Sequence, residues 1–426
     1  MKIKYIFLAG CIFFAGYFSV QAEEPIAKNS TLTLDQCVRV GLRNHPDIAA
    51  YTGNIKIYQS RVGQARSAYY PQLNLASGYS HDKMTPPPSM PDPEMKSYSV
   101  GLHLSQNIYD FGQTSSRVKI QNISLGAVTS DLDAVSNQVV LNIKQSYYAV
   151  LKAERNKKVS EESVRMFEQH LDQAKAFFSV GKKPRFDVTR AEVDLSSANL
   201  GLIKAENALK VAWVTLNNAM GVPSAPEYSI EDNLLFQKYQ VTLEEALARA
   251  YSNRPDLKGV IARKSAATES IKLARKQYLP TISGTASYKQ GNEGFPLEEG
   301  WGVGVNLSVP IFNGFETKNR VAEARAAEAV LQANEESLRQ SIILEVQQAY
   351  LGLQEVEDSV STSELLVRQA QESSEIAQGR YDAGVGSPIE VTDAQVTYVE
   401  AQQNYIETLY QYQIARESLQ KAMGLK

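Results

Sequence analysis

The chain is 426 residues long, 43% hydrophobic and 21% charged, which places it with folded proteins rather than with disordered chains or proteins built of many membrane helices. Its 44 basic and 47 acidic residues leave a net charge of −3, so no basic excess directs it to nucleic acid. Behind a leader, the chain consists of two similar halves.

The leader reads as an export signal over residues 1–22. Lys2 and Lys4 precede an apolar run from Tyr5 to Val20, and Val20-Gln21-Ala22 forms a small-residue cleavage site. Leu8-Ala9-Gly10-Cys11 also resembles a lipoprotein box that would leave Cys11 acylated, but the apolar run before it is short and continues past it. The mature chain then keeps one cysteine, Cys37, and has no internal disulfide available. No later apolar run approaches the roughly 18 residues of a membrane helix, so any membrane crossing must be made by strands.

The first repeat spans 23–222. A short amphipathic helix from Thr33-Leu34 stops at Asn44-His45-Pro46-Asp47, and Pro46 suits the first turn of a second helix that ends before Pro71. The period then changes from helix to strand. Leu73, Leu75, Ser77 and Tyr79 alternate with Asn74, Ala76, Gly78 and Ser80, and Tyr98, Val100, Leu102 and Leu104 alternate with small polar residues in the same way. These strands predict a hairpin over 72–109 with one apolar face and the length of a tilted membrane strand. Its loop, His81 to Lys96, holds Pro86-Pro87-Pro88, Pro91 and Pro93 and belongs in water.

A proline-free helix of about 65 to 70 residues follows Gly112, with Val140, Ile143, Tyr147 and Val150 on its packed side. It turns at Gly181-Lys182-Lys183-Pro184-Arg185-Phe186-Asp187 and returns as a helix seamed by Val188, Ala191, Leu195, Ala198, Leu202, Ala205, Leu209, Ala212, Leu216 and Ala219. Steps of three and four, with small residues alternating with large ones, are the mark of close helix packing on a 3.5-residue repeat. The two helices form a long hairpin over 113–222.

Residues 223–240 read as a linker, and 241–426 restate the plan. Asn253-Arg254-Pro255-Asp256, Tyr278 and Pro280 repeat their counterparts at an offset of 209. Gly384, Glu390, Val391 and the closing Ala422-Met423-Gly424 repeat theirs at 203, which places a six-residue length difference between Tyr79 and Ile108. The second half carries a predicted hairpin at 281–312, with Tyr288 and Trp301 matching Tyr79 and Tyr98 as an aromatic girdle. It also carries a helical hairpin at 316–424. At its tip Gly384 suits a left-handed cap, Ser387 caps the next helix, Pro388 opens it and Glu390 is placed to complete a capping box. Four strands enclose nothing, and open sheet edges are excluded from lipid, so a membrane-embedded form must oligomerise until the sheet closes.

The duplication, the Asn-x-Pro-Asp turns, the helix-Pro-strand junctions, Ile108-Tyr109-Asp110-Phe111-Gly112 with Ile311-Phe312-Asn313-Gly314-Phe315, and the paired Ala-Met-Gly ends together resemble the TolC-like outer-membrane efflux proteins. The resemblance implies an α+β membrane protein: a homotrimer whose twelve transmembrane β-strands form one β-barrel in the outer membrane, among its lipids, above an α-helical barrel of long coiled-coil helices in the periplasm. It further implies the exit duct of a tripartite efflux pump, docked through its helical tips to a periplasmic adaptor protein and an inner-membrane pump.

Carried over residue by residue, Gly181, Lys182, Lys183, Pro184 and Arg185 with Gly384, Val385, Gly386 and Ser387 are the expected adaptor-contact tips. Asp187, Glu390 and Asp393 match acidic positions at the tunnel entrance, where threefold symmetry would multiply each carboxylate into a ring. All three acids also suit the first turn of a helix on dipole grounds alone. Tyr381 matches a residue that helps to hold the entrance shut, and Gly386 stands where the family carries its basic partner.

Catalysis, cofactors and metals find no motif: His45, His81, His103 and His170 lack ligand spacing, and Gly300-Trp301-Gly302-Val303-Gly304 alternates as a strand. Two other readings remain open at this level. One is a duct for type I protein secretion, the other a periplasmic coiled-coil scaffold or adaptor with soluble β-hairpins.

Overall fold

The computed structural model describes residues 26–83, 94–292 and 296–425. The leader, including Cys11, and the proline-rich part of the first hairpin loop lie outside the described residues. The elements run β1 (Thr31–Leu32), α1 (Leu34–Asn44), α2 (Pro46–Arg66), β2 (Gln72–Lys83), β3 (Glu94–Tyr109), α3 (Gln113–Ser179) and α4 (Arg185–Ala219). There follow β4 (Ser229–Ile230), α5 (Leu243–Asn253), α6 (Pro255–Lys276), β5 (Thr281–Asn292), β6 (Glu298–Ser308), α7 (Glu316–Asp382) and α8 (Pro388–Ala422).

Both short helices start in the same way. Thr33 and Thr242 form capping boxes with Gln36 and Glu245, each threonine oxygen accepting from the backbone N–H three residues on. Pro46 and Pro255 then open α2 and α6, where the missing N–H is not needed. At 67 residues each, α3 and α7 reach about 100 Å. The returning helices are half as long, and the shortfall is made up by α2 and α6, so that α4 with α2 lies along α3, and α8 with α6 along α7.

The joints between these stacked helices explain the paired Ala-Met-Gly. Gly221 and Gly424 adopt left-handed backbone at φ 70° and 76°. A Cβ on Gly221 would lie 2.8 Å from the Asn44 carbonyl oxygen, and one on Gly424 2.7 Å from the Arg254 nitrogen. Met220 and Met423, just before them, are fully buried.

The main core lies at this level and joins Cys37, Ile143, Tyr147, Leu216, Leu257, Ile342, Leu353 and Tyr412. Residues 223–240 are more than a linker. Within them β4 pairs in parallel with β1, Leu234 is fully buried, and the Glu231 and Gln237 carbonyls accept hydrogen bonds from Tyr147 and Tyr412. Two-residue strands carry no periodic signal, which is why the sequence does not announce this strap.

The four long strands form one antiparallel sheet in the order β2-β3-β5-β6. β6 ends at Ser308 instead of continuing to 312, because Pro310 has no N–H for the ladder. The register places Leu73, Leu75 and Tyr79 on the same face as Tyr98, Val100 and Leu102, and these with Tyr288, Trp301, Val303, Val305 and Leu307. The other face carries mostly glycine, serine, threonine and asparagine between Asn74 and Ser308, with Asp82, His103, Lys289 and Glu298 among them. Tyr79 faces Tyr98 and Tyr98 faces Asn292, four residues past Tyr288, the repeat partner of Tyr79, so the halves are staggered.

Candidate functional site

The expected site residues fall in two regions of the fold: the sheet and the helical tips. The apolar face of the sheet has no cover. Leu75 is 70% exposed, Trp301 80% and Val303 75%. The outer strands β2 and β6 each leave one edge unpaired. Tyr79 and Tyr98 touch, with ring centroids 5.0 Å apart, and Tyr288 faces Trp301 across the β5–β6 ladder.

A second aromatic set lies at the helix end of the strands and escaped the sequence reading. Tyr69 and Tyr278, and Tyr109 and Phe312, are exposed repeat partners flanking the same apolar band. Their signal was present as aromatic residues just outside each predicted strand, where two girdles bracket a membrane-spanning sheet. Among the described residues no helix is long and apolar enough to cross a membrane.

At the tips, α3 turns into α4 through Gly181 and α7 into α8 through Gly384, both left-handed at φ 73° and 79°. The turns are closed by backbone bonds from Gly181 to Phe178, from Lys182 to Phe177, and from Gly384 to Tyr381. In the second turn the amides of Val385 and Gly386 both donate to the Arg380 carbonyl. Gly386 is required by this geometry: a Cβ there would sit 2.8 Å from the Tyr381 nitrogen. The turn as wound leaves no room for a side chain at this position.

Ser387 caps α8 by accepting from Ile389 at 3.3 Å. Glu390 does not complete the expected capping box. Its carboxylate lies 3.5 Å from Arg380 instead, an exposed pair across the turn. At the start of α4, Pro184 offers no side-chain cap, and its carbonyl accepts from the Asp187 amide.

Tyr381 is fully buried. Its ring lies between His170 and Phe177 of α3, with centroids 5.3 and 5.5 Å away, and the Lys183 ammonium is 5.4 Å from its centre. The Lys182 ammonium folds back in the same manner towards Phe177, at 5.9 Å. Tyr381 thereby joins the two helical hairpins inside one chain. Burial pushes its phenol above the usual range, aided by the nearby Asp187 and Asp382 carboxylates. Burial lowers His170, while Asp194 and Asp187 act in the opposite sense.

The predicted entrance acids separate in position. Asp187 is buried beside this cluster, whereas Glu390 on the first turn of α8 and Asp393 on its second are exposed. Around them runs a polar lattice that sequence reasoning missed. Gln378 donates to Gln173 and Asp382, Gln173 donates to Asp382, and Thr392 donates to Asp194 at 3.0 Å. Arg185, Val385 and Phe186 remain exposed at the extremity.

The family model described as outer membrane efflux protein matches residues 39–222 and 246–425. Outer membrane protein TolC of Vibrio cholerae is 24% identical over 89% of this chain and 88% of the relative, and Protein CyaE of Bordetella pertussis is 25% identical over 93% and 84%. Among solved structures, a CusC channel superimposes with a TM-score of 0.80 at 20% identity, covering 96% of both chains. With two matched segments that coincide with the two halves of the fold, the chain belongs to the outer membrane efflux protein family.

Proposed function

We propose that this protein is the outer-membrane exit duct of a tripartite efflux pump, in which three copies close twelve strands into one barrel above a continuous helical tunnel. The observation that carries this reading is the four-stranded sheet with two open edges and an uncovered apolar face. In lipid each unpaired backbone group costs several kcal/mol, so closure by further copies is the available solution.

The helices support assembly independently. Opposite its buried seam, α4 exposes Phe186, Val193, Leu200 and Val214, and α7 exposes Val330, Leu344, Leu351 and Leu365, all at multiples of seven residues. A second apolar stripe at heptad spacing on a helix already packed within its own chain calls for a neighbour in another copy.

In this reading the tips at Gly181–Arg185 and Gly384–Ser387 meet a periplasmic adaptor, which couples the duct to an inner-membrane pump. Glu390 and Asp393 line the entrance, and Tyr381 holds the second hairpin against the first. The protein moves cargo and performs no chemistry on it. The test is the mass of the protein extracted from outer membranes, corrected for detergent. Three chains are expected, and a monomer in the soluble fraction would leave the scaffold reading in its place.

A further inference from the structure

The register of the sheet sorts charge as well as hydrophobicity. On the polar face, among the described residues, only three side chains carry a permanent charge: Asp82, Lys289 and Glu298. Glu298 faces Gly291, the repeat partner of Asp82, so both acids share one level near the loops. Lys289 lies two residues further in. Below it, towards the helices, the face holds uncharged small and polar side chains and His103.

The surroundings of Lys289 leave its side chain room. Its cross-strand neighbours are Gly101 on β3 and Gly300 on β6. A Cβ on Gly101 would come within 3.4 Å of the Lys289 Cβ, and one on Gly300 within 3.6 Å of its Cε. Glycine weakens a strand and gives a lysine stem nothing to pack on, so neither neighbour recommends the pair as a stabilising device. They leave the ammonium free over a shallow depression of about 400 Å³ that Gly78, Ser99, Gly101, His103 and Ser287 line with it. Lys289 makes no ion pair among the described residues.

We propose that Lys289 is a charge-selecting residue of the duct, resting on the reading that three copies close the sheet with this face inward. Three ammonium groups then form a ring just inside an acidic rim, on a wall otherwise nearly free of charge. Such a ring concentrates anionic solutes, through their carboxylate or phosphate groups, at the last section before release. The serine hydroxyls on the same wall supply neutral hydrogen bonds that let an anion leave. The entrance acids Glu390 and Asp393 act on cations at the opposite end, so this ring sets a separate step.

The test uses the full-length protein in planar bilayers under a potassium chloride gradient at low salt. Lys289→Ala is expected to lower the chloride-to-potassium permeability ratio about two- to threefold, given the strength of charges meeting across water. Lys289→Glu lowers it further, and Lys289→Arg leaves it unchanged. An unchanged ratio in Lys289→Glu, with the mass of three chains retained, overturns the proposal while sparing the duct.

A second variant reads position rather than selectivity. Beyond the leader Cys37 is the chain's sole cysteine and is fully buried, so Lys289→Cys introduces an accessible thiol. A membrane-impermeant cationic thiol reagent is expected to label it and restore the wild-type ratio, and an anionic one to reverse it. No labelling in the intact trimer overturns the luminal placement. A soluble monomer overturns the duct and this proposal with it.

Discussion

The ring of Tyr381 lies against the imidazole of His170 with 5.3 Å between centroids, and neither the phenol oxygen nor His170 Nδ1 has a hydrogen-bond partner. Charged groups approach from every side: Asp187 and Asp194 from α4, Asp382 from the end of α7 and Lys183 from the first tip. Burial is the dominant influence and holds His170 below its ordinary 6.5. The neutral imidazole is therefore the folded form, and the unfolded state takes up its proton first. Packing between the hairpins is complete above pH 6.5 and weakens as pH falls below it. Amide exchange at the end of α7, corrected for intrinsic rate, is expected to accelerate about three- to tenfold between pH 7 and pH 5.5. His170→Phe should abolish the acceleration, and an unaltered profile in that variant would locate the effect elsewhere.

Gly386 permits no side chain without moving the turn. Gly386→Ala is expected to destabilise the second tip by about 1 to 3 kcal/mol, and Gly386→Arg by at least as much. Restoring the family's basic residue should therefore open the entrance and raise the basal conductance of single channels. A lowered conductance would show that the turn adapts and that an arginine there closes the tunnel after all.

Glu269 is buried in α6, with the Lys119 ammonium at 3.1 Å, that of Lys272 at 3.2 Å and the Ser116 hydroxyl at 3.0 Å. The hydrogen bonds from Lys119, Lys272 and Ser116 outweigh its desolvation and hold the carboxyl at about 2. A depressed acid stabilises above its unfolded value near 4.5 and loses that contribution as pH falls towards 2. Both lysines are more than half exposed, so screening reduces what they add. Glu269→Gln is expected to cost about 1 to 2 kcal/mol at pH 7, less as pH falls below 4.5 and little once it reaches about 2, read from thermal unfolding in detergent at several pH values.

The two faces of the sheet should respond oppositely to charge. Val303→Lys places an ammonium on the apolar face and is expected to cost about 2 to 4 kcal/mol, with loss of trimer from the membrane fraction. Ser287→Lys, one strand away on the polar face, should assemble normally. Equal tolerance at the two positions would show that the sheet is not embedded with Val303 towards lipid.

What could be read from the sequence had a period. The seam of α4, the alternation of β2 and β6 and the repeat offsets each recur often enough to stand out, and every seam residue from Val188 to Ala219 is buried or half-buried. What escaped depended on contacts between distant segments. His170 has no metal-ligand spacing to mark it in the sequence, yet it shares its helix face with Phe167, Ala174 and Phe177 and meets Tyr381 from 211 residues away. The β1–β4 pairing joins segments 198 residues apart through two residues on each side. Glu390 shows a local pattern left unused: Ser387 accepts from Ile389 instead of Glu390, and the Glu390 carboxylate lies towards Arg380 across the turn.

The four-residue stagger between the halves also governs where the loops emerge. Carried around a closed barrel, it inclines the strands steeply, roughly 50° from the axis for a 3.3 Å rise and a 4.8 Å strand spacing. A twelve-residue strand such as β2 then climbs only about 25 Å while sweeping about a third of the circumference. In the proposed trimer each protomer takes a third of that circle, so the far end of a hairpin rooted above one copy's helices lies over the next copy. The rim of the proposed pore is then thatched, the far end of every hairpin overlying its neighbour, so that a change at the Lys83 or Glu298 end of one copy is presented beside residues that belong to another.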